Sequence, residues 1–222
     1  MSDSFRILCL ETSAQICSVS VATESGVFHS VSDTIQNHAE VLMRLIQDCL
    51  DKSGTGMKDI SAIAISDGPG SYTGLRIGSS TAKGLCYALQ VPLIKVSTLG
   101  ALAQAALTHT EKTIIWPMID ARRMEVYHGI YNRELELLQV INNGIIDQEG
   151  FVPDWLKSEA VIICGDGGEK AAKYLGLPFL TLAPSSAYLC PLATAAWHQK
   201  DFVDAVSYEP FYLKQANITV AK

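Results

Sequence analysis

With 222 residues, 48% of them apolar and 18% charged, the chain can bury the core of one large domain or of two lobes of about 100 residues each. It is poorer in charge than an ordinary soluble domain, so part of its surface is expected to be covered by a partner. A formal net charge of −6 excludes a strong autonomous grip on nucleic acid, which needs clustered Lys and Arg, and no apolar run approaches the roughly 18 residues that cross a bilayer.

The opening Met1–Leu10 carries no secretory h-region, and a cytoplasmic location is expected. Six cysteines, at 9, 17, 49, 86, 164 and 190, never form a C-x-x-C pair and mostly sit in apolar runs. Neither disulfides nor a zinc site is expected from that spacing.

In chain order, Phe5–Glu11, Ile16–Glu24 and Val27–Ser32 alternate as strands of a meander. Asn37-His38-Ala39-Glu40 then places an N-cap with Glu three positions later, ahead of an amphipathic run through Val41, Leu42, Leu45, Ile46, Cys49 and Leu50 that stops near Gly54. A short strand, Ile60–Ile65, leads into the glycine-rich loop Asp67–Gly74, a helix to about Leu89 and the strand Leu93–Val96. Ala101–Leu107 is expected to be a linking helix.

The second half repeats the order. Thr113–Ile119, Met124–Tyr131 and Leu135–Ile141 read as strands, with the polar turn Asp120-Ala121-Arg122-Arg123 between the first two. A short helix is expected over Glu149–Lys157, then the strand Ala160–Cys164, the turn Gly165–Gly168 and a helix over Glu169–Leu175. Each half thus reads β-β-β-α-β-Gly-loop-α, with an acid closing its first strand, Glu11 and Asp120. The fold class expected is α/β, actin-like (the Hsp70 and sugar-kinase type), made of two duplicated RNase H-like lobes. We place the first lobe at residues 1–103 and the second at 104–222, with Pro210–Ala221 a candidate to return to the first.

Several sites are candidates for nucleotide or anion contact: Thr12 and Ser13 in the first hairpin, Gly68, Gly70 and Ser71 before the second helix, and Gly167 and Gly168 in the second half. Each also has a plain structural reading, as a tight turn. Leu75 follows Gly74, so the lysine of a G-x-x-x-x-G-K-[ST] loop is missing. The histidines, at 29, 38, 109, 128 and 198, are too scattered to assemble a metal site, and no nucleophile–base pair can be read from the chain. No metal, cofactor or catalytic residue is therefore assigned. On the helix 74–89, Leu75, Gly78, Ala82, Leu85 and Leu89 form one apolar face and Ile77, Thr81, Gly84 and Ala88 a second one of smaller residues beside it. Together they are wider than a one-sided surface helix requires, so a neighbour is expected on the second face. Either another part of the same lobe or another subunit would serve.

The string Gly68-Pro-Gly-Ser-Tyr-Thr-Gly-Leu-Arg-Ile-Gly78, with Ala82-Lys-Gly-Leu85 and Val91-Pro-Leu93, closely resembles the bacterial TsaB (YeaZ) family. Leu10-Glu-Thr-Ser13, His38-Ala-Glu40, Asp120-Ala-Arg-Arg123, Glu125-Val-Tyr127 and Pro210-Phe-Tyr-Leu-Lys214 extend the resemblance over the chain. It implies an actin-like fold and a role in placing threonylcarbamoyl on the adenosine beside the anticodon of tRNAs reading ANN codons. It also implies a catalytic paralogue, TsaD, as partner, an ATPase, TsaE, that joins the pair, and tRNA reached only through the complex. The paralogue's H-x-x-x-H metal pair falls where this chain has Ser97-Thr98-Leu99-Gly100-Ala101-Leu102. The resemblance places the heterodimer contact on the first-lobe helices, with His38, Val41, Leu45, Ile77, Thr81, Gly84 and Ala88 as the expected interface. A homodimer through the same helices, and a stand-alone ATPase or metallopeptidase-like enzyme, are the alternatives.

Overall fold

The computed structural model describes residues 4–32 and 37–214. Two five-stranded sheets carry the chain. In the first, β1 (Arg6–Glu11), β2 (Ser18–Thr23), β3 (Gly26–Val31), β4 (Ala62–Gly68) and β5 (Leu93–Ser97) lie in the order β3-β2-β1-β4-β5. The meander is antiparallel, while β4 and β5 run parallel to β1. The second sheet uses β6 (Ile114–Asp120), β7 (Glu125–Tyr131), β8 (Leu137–Ile145), β9 (Val161–Cys164) and β10 (Phe179–Leu180) in the order β10-β9-β6-β7-β8. That is the same order and the same mixture of pairings, so the duplication read from the sequence is real and the architecture is actin-like.

Five helices cover the sheets: α1 (His38–Ser53), α2 (Tyr72–Leu89), α3 (Thr98–Ala106), α4 (Gly168–Leu175) and α5 (Ser186–Gln199). The period-2 alternation of β1 decides what each face meets. Leu8 and Leu10 point into a core with α1 and α2, whereas Phe5, Ile7 and Cys9 point into a core with Leu189, Cys190 and Ala193 of α5. On the second sheet, Ile115 and Ile119 pack on Leu99, Leu102 and Ala106 of α3, and Trp116 and Met118 pack with Ala171 and Ala172 of α4. Helices α3 and α5 thus form the middle of the molecule. Among the described residues no helix is long and apolar enough to cross a membrane.

Local chemistry explains the element boundaries. Asn37 caps α1 by accepting from Ala39 N–H (3.1 Å), and Gly54, at φ 61°, ends it. Ser97 accepts from Gly100 N–H (3.2 Å), so α3 begins at Thr98 rather than near Ala101. The helix expected over 149–157 does not form. Gly150 is left-handed at φ 80°, Pro153 has no N–H to give, and the segment runs as separate turns, Phe151 N–H to Gln148 O (3.2 Å) and Leu156 N–H to Pro153 O (3.0 Å). Its apolar spacing serves a plug instead, with Phe151 stacked on Trp116 at 5.3 Å. Strand β8 also starts later than expected and runs further, because Leu135 lies in the Asn132–Glu136 turn at φ 62°.

Helix α5, which the sequence pattern does not announce, lies within residues 104–222 yet covers the first sheet. Beyond it the chain runs back over both sheets: Val203 bridges Leu93, Phe211 N–H donates to Asp67 O (2.8 Å), and Lys214 pairs with Glu125. Of Pro210–Ala221, residues 210–214 are described and the remainder lies outside the described residues.

The first turn of α2 is pressed against the β1–β2 hairpin. A Cβ on Gly74 would lie 1.9 Å from the Thr12 carbonyl oxygen, a backbone atom that cannot move aside alone. Gly74→Ala is therefore expected to destabilise the fold by about 1–3 kcal/mol, lowering the midpoint of thermal unfolding followed by circular dichroism by several degrees. An unchanged midpoint would show that the hairpin and helix do not meet in this way.

Candidate functional site

A cleft of about 680 Å³ opens between the two sheets. Its first-lobe wall comes from the β1–β2 hairpin (Ser13, Ala14, Gln15), the start of α1 (His38) and the loop into α2 (Pro69–Leu75). Its second-lobe wall comes from the end of β6 and the turn after it (Ile119–Arg122), with Tyr127 and Asp166, and Phe211–Lys214 close one side.

The glycines of the loop are consumed by close backbone packing. Gly68, at φ 113°, has the Phe211 carbonyl oxygen 2.6 Å from where a Cβ would be, and a Cβ on Gly70 would meet Ser13 at 2.6 Å. On Gly78 it would meet the Thr12 hydroxyl at 2.3 Å. The polar groups are engaged in the same joint. Thr12 Oγ1 donates to Gly74 O (2.8 Å), Ser71 N–H donates to Ser13 O (2.7 Å), and Ser71 Oγ caps α2 by accepting from Gly74 N–H (3.2 Å). In the second lobe, Gly167 N–H donates to Met118 O (3.1 Å), a Cβ on Gly167 would meet the Ile119 backbone at 2.6 Å, and one on Gly168 would strike Phe179. Of the seven candidate nucleotide or anion residues, Ser13, Gly70 and Ser71 line the cleft; Thr12, Gly68, Gly167 and Gly168 are spent behind it. For those four, the tight-turn reading is the one the geometry carries.

The second-lobe side of the cleft is acidic, with Asp120 and Asp166 in its lining. Behind the first-lobe wall, Glu11, 1% exposed, accepts from Ser13 N–H (2.6 Å) and from the Ser66 hydroxyl (3.0 Å) through Oε1, while Oε2 has no partner among the described residues. Burial raises its pKa above the usual glutamate value, against the lowering effect of those hydrogen bonds, and the charge of Asp166 adds to the rise. Burial also raises the Asp166 pKa, with the neighbouring Asp120 carboxylate pushing the same way. Asp166 Oδ1 accepts from Asp120 N–H (3.1 Å), and Asp120 itself pairs with Lys170. A polyphosphate laid in the cleft would face the carboxyl groups of Asp120 and Asp166. Among the described residues no three His, Cys, Asp or Glu side chains are grouped to hold a metal.

The expected interface residues separate into three groups. Val41 and Leu45 are 5% and 2% exposed and belong to the first lobe's own core, so they form no outer surface. The reason is rotational: the apolar stripe of α1 is satisfied by its own sheet, and the large apolar side chain that α1 turns outward is Met43. His38 is half-buried at the cleft, its Nε2 2.8 Å from Ala14 O, and Ile77 is half-buried in the lining of the same cleft. Thr81, half-buried, and Gly84 and Ala88, both exposed, stay together on the outer side of α2. Tyr87, 80% exposed, stands beside them; it is absent from the expected interface although it follows Gly84 at helical spacing.

The family model for TsaD, tRNA N6-adenosine threonylcarbamoyltransferase, matches residues 19–162. The tRNA threonylcarbamoyladenosine biosynthesis protein TsaB of Haemophilus influenzae is 29% identical over 220 residues, covering 94% of this chain and 93% of that protein. The protein of the same name in Escherichia coli is 39% identical over 129 residues, 58% of this chain and 56% of that protein. Among solved structures, YeaZ from Pseudomonas aeruginosa superposes with a TM-score of 0.81 at 30% identity, covering 94% of this chain and 100% of that one. Sequence motifs, duplicated topology and a whole-chain structural match converge on one group: the chain belongs to the TsaB (YeaZ) family.

Proposed function

We propose that this chain is a cytoplasmic, non-catalytic subunit of the machinery that transfers threonylcarbamoyl to the adenosine beside the anticodon of tRNAs reading ANN codons. It docks on the catalytic paralogue TsaD through the outer side of α2, and the ATPase TsaE joins that pair. The observation that carries this reading is the face itself: half-buried Thr81 and exposed Gly84 and Ala88 leave a strip of small residues on α2, with Tyr87 exposed on the same helix and Met43 exposed on α1. Small residues let another helix approach closely, and exposed large apolar side chains at the edge give it area to bury. Membership of a family whose relatives are named for tRNA threonylcarbamoyladenosine biosynthesis supplies the pathway.

What supports a non-catalytic role is the chemistry of two places. Where the paralogue has its metal-binding histidines, Ser97–Leu102 is a capped helix start whose Leu99 and Leu102 are buried in the core between the lobes. Behind the cleft wall, Glu11 is buried and held by Ser13 of the hairpin and Ser66 of β4.

Two experiments test the reading. A Cβ on Gly84 meets nothing within 4 Å, and arginine is the better helix former by up to about 1 kcal/mol, so Gly84→Arg should fold at least as well as wild type. It should nonetheless abolish co-purification with TsaD and threonylcarbamoyladenosine formation; wild-type levels of both would remove the proposed interface. Leu45→Ala, by contrast, should cost about 2–5 kcal/mol of stability, any loss of complex following from unfolding.

The second concerns Glu11. Its folded pKa lies above the ordinary value near 4.5, so the protonated acid's contribution is fully present below the unfolded pKa and is lost as pH rises through the folded one. Wild type should therefore lose stability relative to Glu11→Gln as pH is raised from 4, the gap levelling off above the folded pKa, in urea titrations at a series of pH values. Glu11→Gln should also keep full activity in the reconstituted complex. A pH-independent gap, or an inactive complex with an intact fold, would make Glu11 more than a packing residue.

A further inference from the structure

The turn joining β6 to β7 is unusual in its backbone. Arg122 and Arg123 are consecutive left-handed residues, at φ 73° and 48°. That region favours glycine and asparagine, and holding a longer side chain there costs of order 1 kcal/mol or more for each residue. The turn is nevertheless firmly built. Glu125 N–H donates to Arg122 O (3.1 Å), Ala121 N–H donates to Glu125 O (3.2 Å), and Asp120 Oδ1 accepts from Arg122 N–H (3.1 Å). From beneath, Lys170 donates to the carbonyl oxygens of Arg123 and Glu125, both at 2.7 Å.

The charges around it are arranged to leave the arginines uncompensated. The ion pairs found among the described residues are Lys170–Asp120 and Lys214–Glu125, and both flank this turn. Each carboxylate beside the arginines is thus taken by a lysine, and two positive charges remain in a chain whose net charge is −6. Both arginines are exposed, and neither guanidinium makes a hydrogen bond or ion pair with a described residue. Arg122 lines the mouth of the cleft, whose walls also carry Tyr72, Tyr127 and Tyr212. Tyr72 and Tyr212 pack on each other, with Arg76 over the Tyr72 ring. Free guanidinium groups at the mouth of such a cleft suit the phosphates of an RNA backbone, which take the charge.

We propose that the Arg122–Arg123 turn is a phosphate-binding site for the RNA backbone, through which this chain touches tRNA directly once it is in its complex. The inference rests on the proposed role in tRNA modification and goes beyond it, since that role alone needs no RNA contact from this subunit. The modest charge of a single turn fits a chain that adds to a grip supplied mainly by other subunits.

The test replaces the pair by the residues that the backbone prefers. Arg122→Asn/Arg123→Gly is expected to raise the thermal midpoint of the chain, because it relieves the left-handed arginines. In the complex with TsaD, binding of an unmodified tRNA transcript is expected to weaken, with the slope of log affinity against log salt shallower by about two, one for each phosphate that is no longer neutralised. Arg122→Lys/Arg123→Lys, which keeps the charge, is expected to retain most of the slope. An Asn-Gly variant that binds the transcript with wild-type affinity and slope overturns the proposal. So does one that fails to bind TsaD while the free chain folds normally, since the turn would then be a protein-docking element. Co-purification of wild-type chain with TsaD reads the subunit role separately from the salt slope, so failure of either is seen on its own.

Discussion

The contact between the β1–β2 hairpin and the first turns of α2 is the constraint from which the rest of the molecule follows. Backbone meets backbone there: the Thr12 carbonyl faces Gly74, Ser13 faces Gly70, and the Thr12 hydroxyl faces Gly78. Two hydrogen bonds, from Thr12 Oγ1 to Gly74 O and from Ser71 N–H to Ser13 O, close the joint. Because α2 enters at this one place and in this one direction, its buried face is committed to the sheet, and Gly84, Tyr87 and Ala88 are committed to the outside. The same joint contributes Ser13, Gly70 and Ser71 to the cleft wall, so the glycine-rich loop is also the fixing point of a helix.

What the sequence revealed and what it concealed divide along physical lines. Alternation in β1, the Asn37 cap and the repeated strand order were legible because each depends on neighbours close in sequence. The apolar stripe of α1 was equally legible, but a stripe cannot say whether its own sheet or another subunit covers it; Val41 and Leu45 went to the sheet. Glycines at 68, 70, 167 and 168 announced close approach without naming what approaches, and in each case the neighbour is another part of this chain. Helix α5 was hidden for two reasons. Pro191 lies inside it, and its place between the lobes leaves it apolar on more than one side, so no amphipathic period stands out. Over 149–157 the reverse happened, and an apolar spacing that resembled a helix served Phe151 as a plug instead.

The division of charge follows a comparable logic. The interior carboxyl groups, Glu11 and Asp166, are buried and pushed toward their neutral forms, whereas those at the surface turn, Asp120 and Glu125, are each tied to a lysine. Glu125 is accordingly held below the usual carboxylate range, chiefly by Lys214. An overall acidic chain can therefore present a locally basic rim, which a net charge summed along the sequence does not reveal.

The return of the chain's last third to the first sheet has a consequence for how the molecule is made. Ile7, Cys9 and Ile94 are covered on one side by Leu189, Cys190 and Ala193, and strand β5 gains its outer neighbour only at Val203. Emerging from a ribosome, the first hundred residues carry a finished strand order but a bare apolar underside. They stay unfinished until residues 189–203 have been synthesised, and the two halves, though built on one plan, depend on each other to complete their cores.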